Sequence, residues 1–157
     1  MQHDQASSKS HYGRLLIMAA LSFVSMYVLM YAMVDKLANV YPNFNQIYMA
    51  GLMTTPMVVI ELVLMKSMYE NMRLNAVILV VSAAVGLMFF AAVRQQTAIG
   101  DIQFLKSMIP HHASAILMCN ESSISDPEIK KLCGTIVTGQ QSEIEAMKAK
   151  LDLLEQN

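Results

Sequence analysis

The hydrophobic pattern of this chain changes character at Arg94. Before it lie three apolar runs with no polar face. They are LLIMAALSFVSMYVLMYAMV at 15–34, a second from about 47 to 65, and LNAVILVVSAAVGLMFFAAV at 74–93. About twenty residues at ~1.5 Å each cover a hydrocarbon core roughly 30 Å thick, so each run is long enough to cross a bilayer as a helix. A cleaved signal peptide would carry a shorter apolar region ending in small residues, whereas the first run closes on Asp35 and Lys36. The pattern predicts three retained spans within 15–94, preceded by a disordered cytoplasmic tail at 1–14. Pro56 and Glu61 interrupt the second run, and Ser82, Ala83, Ala84 and Gly86 offer the third a face for close helix approach. Tyr12, Tyr31, Tyr41, Tyr48 and Tyr69 fall near span ends, where amphipathic rings favour the interface.

From residue 98 the period becomes that of an amphipathic helix. Phe104, Met108, His111, His112, Ala115, Met118 and Cys119 share one broad stripe. Pro110 lacks a backbone donor, so the helix kinks there or becomes regular after it. A loop is expected at 120–125, then a capping box in which Ser125 and Glu128 close the start of a second helix. That helix carries Ile129, Leu132, Cys133, Ile136, Gln140, Glu143, Ile144, Met147 and Leu151 on one face. Two helices joined by a short loop pack antiparallel. Counting from the loop sets His111 and His112 opposite 136–140, and Met108 opposite 140–144. The fold class expected is all-α: three transmembrane helices, then an extramembrane antiparallel hairpin over 98–157. A lone hairpin of this size buries little apolar surface, so a homo-oligomer formed through it is expected.

Composition narrows the function. The chain has 157 residues, 55% of them hydrophobic, and a net charge of −1, which offers no electrostatic footprint for nucleic acid. The expected partners are the lipid bilayer, a metal ion and a second copy. Lys9, Arg14, Lys66 and Arg73 lie on one side of the spans, against Lys36 and Arg94 on the other, with Lys106 a little further away. The positive-inside bias therefore places the N-terminus in the cytoplasm and the C-terminal domain outside it, periplasmic in a bacterium.

Fifteen methionines stand in a chain without tryptophan. Methionine is foremost a pliable core filler, yet thioether also favours soft Cu(I), and imidazole suits copper, zinc, nickel and iron. Met108 and His112 are four apart and share a face, and His111 and Met118 are seven apart. Adjacent histidines project about 100° apart, so the two cannot aim at one spot on their own helix. The competing reading of the same stripe is a packed helical face with partly exposed histidines. Met26, Met30 and Met33, then Met57, Glu61, Met65 and Met68, also recur at helical spacing. They read either as span packing, with Glu61 reaching towards Lys66 or the headgroups, or as a path for a soft cation. Cys119 and Cys133 stand as a cross-hairpin disulfide, as copper ligands, or as small core residues. No HExxH, Glu-x-x-His, CxxC or phosphate loop occurs, so no enzyme activity is expected.

Two segments carry a resemblance. D-I-x-F-L-x-x-M-I-P-H-H-x-x-A-I-x-M, followed by L-C-x-x-I-x-x-x-Q-x-x-E-I-x-x-M, resembles the domain of unknown function 305 across about 101–151. The resemblance implies a ferritin-like helical bundle, a periplasmic setting, and copper binding through histidine and methionine in copper resistance. It implies Met108, His111, His112, Met118 and Met147 as metal ligands, and it includes Gln140 and Glu143 without a role. The chain departs from the family pattern at Leu117, where an acidic residue is common, and at Cys119 and Cys133, where small residues are common. The function expected is a membrane-anchored protein that buffers or delivers copper, Cu(I) in preference to Cu(II), outside the cytoplasm. The alternative is a metal-free helical module for protein association at the membrane.

Overall fold

A computed structural model describes residues 2–156, with side chains from residue 11 onward. Five helices follow one another: α1 (Gln2–Leu29), α2 (Phe44–Leu64), α3 (Met72–Gln95), α4 (Asp101–Glu121) and α5 (Pro127–Glu155). Short 3-10 turns at Met30–Met33 and Leu37–Asn39 fill the connection after α1. The all-α class and the three long apolar helices agree with the sequence pattern. The stretches His11–Met33, Phe44–Leu64 and Met72–Gln95 are long and apolar enough to cross a membrane.

Helix α1 starts earlier than the expected tail over 1–14 allows. No proline or β-branched residue interrupts those positions, and extending an existing helix adds one hydrogen bond per residue ordered. The side chains of 1–10 lie outside the described residues.

The chain divides into two compact units. The first holds α1, most of α2, and α3. At one end of it a polar chain joins all three helices. Tyr12 donates to Asn75 Oδ1 at 2.7 Å, Asn75 Nδ2 to the Tyr69 carbonyl at 2.7 Å, and Tyr69 to Glu61 Oε1 at 3.4 Å. Glu61 therefore takes its hydrogen bond from a tyrosine. Pro56 deprives the Leu52 carbonyl of its helical donor, and the Thr55 hydroxyl supplies one at 3.1 Å, so α2 continues unbroken. Helices α2 and α3 approach closely at Gly51, where an added Cβ would overlap the Phe89 ring, and at Gly86, where it would lie 2.8 Å from Thr55 Oγ1.

The second unit joins α4 and α5 to residues 30–46. Leu105, Ile109, Ala113 and Ile116 of α4 meet Ile144 and Leu151 of α5, with Val34 and Tyr41 packed against them. Each fully buried Ile or Leu here contributes roughly 1.5–3 kcal/mol. Helix α4 continues past Pro110, which leaves the Lys106 carbonyl without a helical donor. Buried Asn43 answers it with Nδ2 at 3.4 Å, and the same amide holds the Tyr41 carbonyl at 2.9 Å. The connection after α1 thus supplies both apolar cover and the missing donor. Helix α5 is capped by Asp126, which accepts from the Glu128 and Ile129 amides, and not by the expected Ser125. Aspartate one residue before Pro127 sits at the N-cap itself, where its short carboxylate reaches both free amides.

Candidate metal centre

The α4 face turned towards α5 repeats at four, three and four: Leu105, Ile109, His112, Ile116. His112 thus occupies a core position, and the residue is 8% exposed. A buried imidazole needs partners for both nitrogens. Nδ1 lies 2.9 Å from the Met108 carbonyl, and Nε2 lies 2.7 Å from Glu143 Oε2 on α5. A backbone carbonyl and a carboxylate thus flank the ring, one at each nitrogen.

His111, one residue earlier, turns outward and is exposed. The two rings stand edge-on, centroids 6.0 Å apart at 63°. Met108, half-buried, lies three residues from His111 and four from His112, within reach of either face. Met118 is exposed, and Met147 packs against the hairpin core. The expected ligands therefore part into two sets: His112 and Met147 turned towards the interior, His111 and Met118 turned out. The donor chemistry suits copper, but Glu143 already holds the inner imidazole. Among the described residues no three His, Cys, Asp or Glu side chains gather to hold one ion.

Glu143 is the residue whose role the periodicity left open. Its sequence signal is a carboxylate inside the inward stripe of α5, between Gln140 and Met147. The Cys119–Cys133 pair counts back to His112 opposite Gln140, the edge of the expected 136–140, and His112 Nε2 reaches one turn further to Glu143. The link at 122–126 has extended backbone at both ends and leads into α5. Its first turns then overhang α4, leaving Ile129 and Leu132 exposed.

Cys119 and Cys133 form a disulfide, with Cα atoms 5.3 Å apart. Of the three readings of these residues this one holds, and neither sulfur is a free thiolate for copper. A cavity of about 640 Å³ beside it is lined by Asp35, Glu121 and Glu145 among others. Asp35 Oδ1 there accepts from Asn39 at 2.6 Å, while Oδ2 is buried with no hydrogen-bond partner among the described residues.

Comparison with known proteins bears on this hairpin most directly. The family described as Domain of unknown function (DUF305) matches residues 81–152. "Uncharacterized protein L153" of Acanthamoeba polyphaga mimivirus is 34% identical over 141 residues, covering 88% of this chain and 91% of that protein. No solved structure matches.

Proposed function

We propose, for a chain that belongs to the DUF305 family, that the hairpin binds copper outside the cytoplasm, anchored by three membrane spans and without catalysing a reaction. The observation that carries the reading is the outward line of His111 and Met118, with Met108 beside it. These imidazole and thioether donors need no buried charge and suit Cu(I). The disulfide supports the compartment, because such bonds persist where glutathione does not reduce them. The lysine and arginine balance across the spans supports an N-terminus in the cytoplasm. Copper is cargo in this reading, taken up for buffering or delivery.

A second reading has its own observation. Both nitrogens of His112 are engaged and Met147 lies against the core, which suits a metal-free module that binds protein partners through the hairpin. The two separate in one titration of the full chain in detergent micelles, with Cu(I) shared against a chelating dye. Copper binding predicts that His111→Ala and Met108→Leu each weaken competition at least tenfold. No competition by the unaltered chain, or equal competition by every variant, would sink the copper reading and favour the second.

A further inference from the structure

Between Asp101 and Asn120, the exposed residues of α4 are Phe104, His111 and Met118. Each follows the last by seven, and Phe104 and Met118 are 51% and 56% exposed. A helix line that meets only water carries charged or polar groups. This one carries an aromatic ring, an imidazole and a thioether. Half-buried Met108 and Ala115 fall between them, so the five residues step by four, three, four and three. That is the knob spacing of helices packed side by side, where every knob needs a facing hole. Helix α5 extends the same side. Glu143 reaches His112 from it, and Leu132, three turns earlier on that line, is 57% exposed.

We propose that this face is covered by the same face of a second copy of the chain, and that His111 and Met118 of both copies complete one metal centre. The choice of ligand rests on the copper reading above, whereas the covered face stands without it. Residues 30–46 already cover another side of the hairpin, so the open side is this one. A two-fold axis sets a face against itself, which a charged face resists. Here the α4 line is uncharged from Phe104 to Met118, Glu143 is held by His112, and the carboxylates of Asp101 and Glu128 fall at the edges of the face. An acidic partner would call for lysines or arginines on this line, and it has none. Within one chain, among the described residues, no three His, Cys, Asp or Glu side chains gather to hold an ion. Two copies double the donors along a common seam.

The test uses the full chain in phosphatidylcholine vesicles. A photoreactive benzophenone residue is placed at Phe104 or, on the opposite side of the hairpin, at exposed Asp152. Chain-to-chain adducts at least tenfold more abundant from Phe104 than from Asp152 are expected. In parallel, energy transfer between labelled copies should fall at least tenfold in the Phe104→Glu, Met118→Glu variant and hold steady in Asp152→Lys. Adducts with lipid or with no partner, or unchanged transfer in the glutamate variant, overturn the shared face. Cu(I) competition on the same samples isolates the metal. Undiminished binding by the dissociated glutamate variant overturns the shared centre. Association without copper binding overturns the copper reading and leaves the face in place.

Discussion

His112 Nε2 and Glu143 Oε2 meet at 2.7 Å across the hairpin, joining a buried ring to a carboxylate whose side chain is 61% exposed. The pair is one-sided. Water already screens the glutamate, whereas the imidazole has no other partner for Nε2. Glu143→Ala should therefore destabilise the hairpin by about 1 kcal/mol, mostly through the hydrogen bond withdrawn from the ring. His112→Leu fits the surrounding apolar stripe and should leave stability within about 1 kcal/mol of the parent. Thermal unfolding followed by circular dichroism measures both. A larger loss from His112→Leu than from Glu143→Ala would show that the ring holds the core by more than this pair.

The Cys119–Cys133 bond closes a loop with a sequence separation of 14. A closed loop of that size restrains the unfolded chain by about 3 kcal/mol in the entropic picture. The double replacement Cys119→Ser, Cys133→Ser should lower the unfolding midpoint of the hairpin and leave the unit of α1, α2 and α3 unaffected. Reductant should shift the parent by the same amount and the variant not at all, as followed by denaturant titration.

Gly51 sits where α2 meets the Phe89 ring. Gly51→Ala forces that ring or the helices to move, at a cost of about 1–3 kcal/mol. Gly51→Ala combined with Phe89→Leu should recover part of the loss, because leucine is shorter at the point of overlap. Heat-induced loss of helicity in micelles reads both variants.

Tyr69 lies between α2 and α3, and burial, with Glu61 beside it, raises its hydroxyl above the ordinary 10.0. The folded state then holds the phenol proton more tightly than the unfolded state does. Stability from this group is present in full below pH 10.0 and is lost as pH climbs through the raised value. The parent should weaken above that pH more steeply than Tyr69→Phe, as seen in unfolding midpoints collected across alkaline buffers. Parallel slopes would sink the assignment.

The sequence by itself determined the three long apolar helices and the hairpin, because run length and residue period are local properties of the chain. Twenty apolar residues behave alike whatever follows them, and a stripe at helical spacing must find cover. It also marked α4 as the place where histidine and methionine gather, through MIPHH and the methionines around it.

Only the tertiary structure decided which histidine faces inward. Both lie inside one broad stripe, and a single-residue step separates the buried ring from the exposed one. The choice depends on where α5 comes to rest against α4. Asp126 at its N-cap, the Cys119–Cys133 bond and Glu143 all report that register, and none of them is an effect of period. The donor that answers Pro110 comes from Asn43, more than sixty residues earlier in the chain. Pairings at that separation are contacts between elements, so they exist only once the elements have been brought together.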